Sequence, residues 1–410
     1  MNAPDNTRQS LAPLPAANYA SESHYQNEID AVFRKTWLNI CREDDLPNVG
    51  DFMVQDLHDI GAPVIIVRGK DKKIRAFYNM CTHRGNVVEP TEKGNRRAFK
   101  CNFHGWTYDL GGQLLNVPEH EYFPQVDCEK EHLTAVHCDI WGGYVYINLT
   151  EGTPEWSLAE FHEPLTASMG SFMGDNKWYR THAYRATVDC NWKLPYDALI
   201  EFYHFAALHP KTVASGLSLK GVMPTIYPDS PGSVGFFESY YAPESSTEPP
   251  TPIQILTTTI GSFGLYVQSE EAEALGDTST INQSNRPDWG TTTYAFVPNA
   301  CIMPVGLNGM AIQRAWPISV DKCAFEILFY NKEPQPPSDF VKLFCQRAAQ
   351  YNNRDIASED FSTLERIQKN LKKGPVKAFH YGQQESVNRN LQERIQWHID
   401  RHLAAEGGRS

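Results

Sequence analysis

The feature that most constrains this chain is a pair of short motifs, Cys81-Thr-His83 and, seventeen residues further on, Cys101-Asn-Phe-His104. Two cysteines and two histidines grouped in this way are metal ligands, either for zinc or for a [2Fe–2S] cluster. The spacing separates the two. Zinc ribbons and fingers put Cys with Cys and His with His, usually about two to four residues apart. Here each motif mixes one Cys with one His, which suits a cluster whose one iron takes both thiolates and whose other takes both imidazoles. Each motif follows a β-rich run and enters a glycine-containing loop, Arg84-Gly85 and Gly105-Trp106. Such loops wrap a cluster with backbone N–H groups aimed at its sulfurs. Neutral imidazole ligands raise the potential above that of an all-thiolate cluster, so the group serves as an electron relay.

The rest of the chain must supply a scaffold for that relay and something for it to serve. Its 410 residues suffice for two domains. A net charge of −12 argues against a general nucleic-acid binder, which needs a basic face. No apolar run is long enough to span a bilayer, and the first twenty residues lack the basic start and apolar core of a secretory signal. The expectation is a cytoplasmic protein with no membrane contact. Seven cysteines lie outside the two motifs; scattered as they are, they form no disulfide framework and read as small buried hydrophobes.

The texture of the sequence changes along its length. Ile29, Val32, Phe33 and Trp37 lie at helical spacing, which predicts one amphipathic helix over 24–40. From about 51 to 150, short β-rich runs alternate with Gly, Asn and Asp, and Asp109-Leu-Gly-Gly reads as a hairpin turn. A strand is expected near 183–194, then a helix over 196–208. The stretch 224–254 holds seven prolines and is expected to be a long loop. Strands are expected around 255–268, 291–304, 308–317 and 322–331, and helices over 338–352, 357–371 and 384–404. The second half therefore reads as α+β, an antiparallel sheet with helices gathered at one side.

With Trp37, Gly50-Asp-Phe, CTHRG and CNFHGWTYDLGG on the page, the chain resembles the alpha subunits of the Rieske non-haem iron ring-hydroxylating oxygenases. The resemblance continues into the second half. It implies an all-β Rieske [2Fe–2S] domain inserted before a helix-grip (START-like) catalytic domain with an antiparallel sheet and helices. The boundaries expected are a helical segment 1–42 packing on the catalytic domain, the Rieske domain 43–155 and the catalytic domain 156–410. Cys81, His83, Cys101 and His104 would hold the cluster.

The second half carries Asp197-Ala-Leu-Ile-Glu201-Phe-Tyr-His204-Phe-Ala-Ala-Leu-His209-Pro210. This spacing is not the i, i+4 pairing of H-E-x-x-H zinc proteases. Residues five apart on an ideal helix point about 140° away from each other, so the helix must distort or end between the histidines if they share a metal. Pro210 favours this by biasing His209 away from the α region. Two histidines and a carboxylate form the facial triad of non-haem Fe(II) oxygenases. By the resemblance the carboxylate is Asp360, with Glu359 as the local competitor; either could instead cap the helix that follows. The resemblance also makes Glu201 the carboxylate that bridges His204's site to a Rieske histidine of a neighbouring subunit in a homotrimer or an alpha3beta3 assembly. Many members carry Asp here, and the longer Glu resembles the branch containing carnitine and glycine-betaine monooxygenases. Asp197 and Asn191 could lie behind the iron ligands or be purely structural.

What these implications describe is a terminal oxygenase: O2 and electrons, drawn from NAD(P)H through a separate ferredoxin or flavin reductase, would hydroxylate or dihydroxylate a small organic substrate, expected to be aromatic. The alternatives are oxidation of a quaternary ammonium compound and, from a different class, a Rieske electron carrier without oxygenase chemistry. Phe202, Phe205, Leu208, Phe263, Tyr266 and Phe296 are candidates for an apolar pocket or an aromatic cage.

Overall fold

A computed structural model describes residues 12–174, 177–209, 217–218, 224–241, 281–286, 289–305, 309–332 and 338–407. They divide into two compact units, Phe33–Ala159 and a second made of the residues up to Val32 together with those from Glu160 onward. The first boundary thus lies before residue 42. The reason is in the sequence: the helix expected over 24–40 stops early. Its regular part is α1 (Glu22–Glu28), a π turn follows at Ile29–Phe33, and Leu38–Arg42 is a fully buried strand, β1.

In the unit Phe33–Ala159 the strands are β1, β2 (Asp51–Gln55), β3 (Val64–Arg68), β4 (Ile74–Tyr78), β5 (Lys93–Asn95), β6 (Phe99–Lys100), β7 (Thr107–Tyr108), β8 (Leu114–Asn116), β9 (Ala135–Trp141) and β10 (Tyr144–Asn148). Seven form an antiparallel sheet in the order β1-β10-β9-β4-β3-β2-β5, and β6-β7-β8 form a small second sheet. β3 reads VIIVR and is apolar on both faces, as a strand at the centre of a packed sheet must be. The hairpin β7–β8 turns where expected. Asp109 accepts hydrogen bonds from the N–H groups of Gly111 and Gln113, and Gly112 sits at φ +88° with Phe77 so close that a Cβ would collide with its ring. A single core of Phe52, Ile65, Val67, Phe77, Trp106, Tyr108 and Leu114 joins the two sheets and includes Cys81 and Cys101.

The other unit contains α2 (Leu158–His162), α3 (Thr166–Gly174), β11 (Trp178–Val188), α4 (Lys193–Leu199), α5 (Phe205–Leu208), β12 (Ser233–Tyr241), β13 (Trp289–Phe296), β14 (Ala300–Val305), β15 (Gly309–Ser319), β16 (Lys322–Lys332), α6 (Asp339–Leu371) and α7 (Ser386–Gly407). An eight-stranded antiparallel sheet runs β11-β16-β15-β14-β13-β12, with the short pieces Leu217–Ser218 and Thr225–Ile226 both pairing with β12. This is the α+β, helix-grip arrangement expected. Several local expectations change: the strand expected near 183–194 runs Trp178–Val188, the helix over 196–208 is split into α4 and α5, and the strand around 291–304 is the pair β13 and β14. Ser233–Tyr241 is a strand inside the proline-rich stretch, because the prolines there flank it at 224, 228 and 231 and leave nine residues free to pair. The helices expected over 338–352 and 357–371 are one 33-residue helix. The strand expected over 255–268 lies outside the described residues.

The N-terminal residues are tied into this second unit. Leu14–Pro15 pairs with Ala378–Phe379, and Glu28 is fully buried against Lys193 Nζ at 2.5 Å and Trp192 Nε1 at 2.9 Å. A buried carboxylate left unpaired would be costly, so this ion pair, with the indole donor, holds α1 to the start of α4. No helix among the described residues is long and apolar enough to cross a membrane.

Candidate metal centres

The two cysteine–histidine loops have the same backbone pattern. Cys81 N–H donates to Asn86 O and Gly85 N–H to Cys81 O; Cys101 N–H donates to Trp106 O and Gly105 N–H to Cys101 O. Gly85 and Gly105 adopt φ of +76° and +77°, which closes both turns at no steric cost. Both thiols are buried, while His83 is half-buried and His104 exposed, so the sulfurs point into the core and the imidazoles outward. The two rings lie 4.7 Å apart, and His83 stacks on Trp106 at 4.8 Å.

Donors converge on the sulfurs. Tyr108 Oη lies 3.2 Å from Cys81 Sγ, and Asn86 Nδ2 donates to Cys101 Sγ at 3.5 Å. Burial opposes ionisation of Cys101, yet the Asn86 amide and the N–H groups of Phe103 and His104 outweigh it and draw the thiol below its usual range. Burial raises Cys81, with Tyr108 and the His83 N–H offsetting only part. Two inward thiols supplied with N–H donors, and two outward imidazoles, fit a cluster with thiolates on one iron and histidines on the other.

The second constellation assembles as its spacing required. α4 ends at Leu199, the chain leaves helical conformation, and His204 and His209 flank the single turn α5. His209, before a proline, has φ −113° and ψ 38°, outside the helix region. Their rings come to 5.1 Å. α6 presents Asp360 from its interior, so neither Asp360 nor Glu359 is a helix cap. Asp360 Oδ1 lies 3.0 Å from His209 Nε2 and 3.7 Å from His204 Nε2. One donor atom from each of the three residues falls within 4.8 Å of the others.

Each histidine is held from behind by an acid. Glu201 engages His204 Nδ1 and also accepts the N–H groups of Tyr203 and His204. Glu359 Oε2 sits 2.6 Å from His209 Nδ1. A carboxylate at Nδ1 keeps the proton there and leaves Nε2 as a lone pair. His209 Nε2 and Asp360 Oδ1 are buried without a hydrogen-bond partner. Such orphaned acceptors cost about 1–3 kcal/mol each, a penalty that a cation between them removes. The donor set of two imidazoles and a carboxylate fits Fe(II) with positions left open. From its sequence position Glu359 competes with Asp360 for the metal; in the structure its carboxylate meets His209 Nδ1, whereas Asp360 meets Nε2. Two adjacent acids were visible in the sequence, but the direction of each was not.

Asp197 does not reach the histidines. Its carboxyl meets Tyr19 and, at 3.3 Å, Gln392, while Tyr19 meets Tyr381 at 2.8 Å. Burial pushes Asp197 up to about 7. Asn191 is structural: its amide donates to Val320 O and its Oδ1 accepts from Lys193 N.

Beside the three donors lies a pocket of ≈ 860 Å³, counting the part open to solvent. Its helical wall includes Leu199, Phe202, Phe205, Ala357 and Phe361, and its sheet wall Thr291, Met303, Gln313, Phe325, Ile327 and Phe329. Phe202 and Phe205 line it as the sequence suggested. Phe296 is instead buried in the core, Leu208 is not part of the wall, and Phe263 and Tyr266 lie outside the described residues.

Known proteins share both halves. The chain is 28% identical over 216 residues to the biphenyl 2,3-dioxygenase alpha subunit of Rhodococcus jostii (strain RHA1), a match covering 48% of this chain and 44% of that one. It is 29% identical over 199 residues to the carnitine monooxygenase oxygenase subunit of Escherichia coli (strain K12), covering 48% and 52%. The chain thus spans about half the length of these relatives. Naphthalene 1,2-dioxygenase from Rhodococcus sp. superposes with a TM-score of 0.73 at 20% identity, covering 94% of each chain. The Rieske [2Fe–2S] domain model matches residues 36–127, and the ring hydroxylating alpha subunit (catalytic domain) model matches 175–401. With the second match covering more than half of its length, and the cysteine–histidine loops standing ahead of it, the chain belongs to the ring-hydroxylating alpha-subunit family.

Proposed function

We propose that the chain is a terminal oxygenase component that uses O2 and electrons from NAD(P)H, delivered by a separate ferredoxin or flavin reductase, to hydroxylate or dihydroxylate a small aromatic substrate. The observation that carries this is the convergence of His204, His209 and Asp360 beside an apolar pocket, in a chain that also has the paired Cys/His loops. A pure electron carrier has no use for the former. Cys81 and Cys101 would hold one iron of the cluster and His83 and His104 the other; His204, His209 and Asp360 would hold the mononuclear iron. Bound there, the metals supply stepwise electron transfer and O2 activation, chemistry that side chains lack.

The protein's own residues do the rest. Glu201 and Glu359 hold each imidazole's proton at Nδ1, so that both Nε2 atoms face the metal. Phe202, Phe205, Phe325, Phe329 and Phe361 exclude bulk water and receive a flat apolar molecule. Glu201 is further assigned the bridge to a Rieske histidine of a neighbouring subunit in a homotrimer. A quaternary ammonium substrate, as in the carnitine relatives, would draw on the same rings through cation–π contact. Among the described residues, though, the wall offers no carboxylate apart from Asp360 to pair with a cation. The test is iron content together with a product screen. Three irons per chain and oxygenated aromatic products with a surrogate reductase support the proposal; two irons and no product would return the chain to electron carriage.

A further inference from the structure

Among the described residues the pocket wall is mostly apolar; apart from His204, His209 and Asp360 its polar members are Thr291, whose hydroxyl donates to Pro304 O, and Gln313. Gln313 is in β15, one strand from the middle of the sheet, flanked across the sheet by Cys301 on β14 and Ile327 on β16. Along its own strand the neighbours on the same face are Ala311 and Ala315, too small to cover it. It is 7% exposed and lines the pocket. Among the described residues no hydrogen bond occupies its side-chain amide, which opens into the pocket. An amide facing a pocket whose sheet wall is mostly Met303, Phe325, Ile327 and Phe329 does little for packing that Leu or Met would not do better, and it offers its donor and acceptor to whatever enters.

We infer that Gln313 is a specificity-determining residue: it hydrogen-bonds a neutral polar substituent, hydroxyl or carbonyl, on an otherwise aromatic substrate. This rests on the oxygenase reading and narrows its substrate class. Three observations select the substituent. The amide offers both a donor and an acceptor, so it serves either group. The described wall contains no Lys or Arg, so an anionic carboxylate would be desolvated there without a counter-charge. Among the described residues the only wall carboxylate is Asp360, already committed beside the histidines, so a cationic head group finds no partner there either. The iron donors stand on the helical wall and Gln313 on the sheet wall. The substituent is therefore held on the sheet side, leaving another part of the ring toward the metal.

The test compares two probes of nearly equal shape, 4-methylphenol and 1,4-dimethylbenzene, titrated calorimetrically into the iron-loaded protein without reductant. The intact protein should bind the phenol about tenfold more tightly, the size expected of one well-placed neutral hydrogen bond in a dry site. Gln313→Leu should bring the two affinities level while still binding 1,4-dimethylbenzene, which also shows that the pocket is folded. Gln313→Asn, which keeps the amide on a shorter stem, should retain part of the preference. Equal affinities in the intact protein, a preference that survives Gln313→Leu, or tighter binding of benzoate or L-carnitine than of the phenol would each overturn the inference. Because no turnover is read, failure here is distinguishable from failure of the oxygenase proposal, which iron content and products decide.

Discussion

Replacing Glu359 with Gln alters one oxygen of one side chain that is proposed to touch no metal, yet the geometry at His209 predicts a large effect on metal binding. His209 is fully buried, and its Nδ1 meets Glu359 Oε2 at 2.6 Å. The carboxylate can only accept, so it dictates an Nδ1–H tautomer and a free Nε2 lone pair 3.0 Å from Asp360 Oδ1. A Gln amide can present either its oxygen or its NH2. The second orientation makes Nδ1 the acceptor, moves the proton to Nε2 and removes that lone pair from the metal. The negative charge that raises the basicity of the imidazole is lost in either case. Substitution of such partners weakens metal affinity by roughly 10–100-fold, or about 1.4–2.7 kcal/mol. The assay is titration of protein stripped of its mononuclear metal with Co(II), followed by its visible absorption, with the [2Fe–2S] spectrum as internal control. Glu359→Gln should shift the Co(II) midpoint by this amount and recover activity at saturating Fe(II). An unshifted midpoint would refute the reasoning and leave Glu359 as a surface acid of α6.

Three further outcomes follow from the same geometry. Cys81→Ser or His104→Ala should abolish the reddish-brown absorption of the cluster, and colour retained after either would remove those residues from it. Glu201→Gln should weaken mononuclear metal binding comparably through His204, but should stay slow in turnover at saturating iron, since electron passage between sites is also interrupted. Full recovery there would show that Glu201 orients His204 and bridges nothing. The last concerns Asp197, whose carboxyl burial pushes from the usual 3.8 up to about 7. A raised folded value means that the native state holds the proton more tightly, so this stabilisation is complete below about pH 4 and disappears as pH rises through about 7. The shift corresponds to about 4 kcal/mol. Urea midpoints of the parent should therefore fall relative to those of Asp197→Asn between pH 5 and about 8, and parallel profiles would contradict it.

How much of this was legible in the sequence depends on how locally each feature is determined. The Cys81–His83 and Cys101–His104 loops were readable because each is closed by hydrogen bonds within six residues and by its own glycine. That the helix cannot run on unbroken through His209 was readable too, because five-residue spacing on an unbroken helix cannot put both histidines on one metal. The edge of the N-terminal segment was not. Leu38–Arg42 fits the end of an amphipathic helix until Tyr144–Asn148, about a hundred residues later, supplies the strand that it pairs with. Nor could the sequence divide the work between Glu359 and Asp360. They are neighbours on one helix, about 100° apart, and only the packing of α6 against α4 and the sheet decides which faces the metal and which reaches behind His209. Gln313 was the least legible of all. In the sequence it is one polar residue in an alternating strand, which predicts a solvent-facing position; the tertiary structure turns that face toward the pocket, because helices cover the sheet where water would otherwise be.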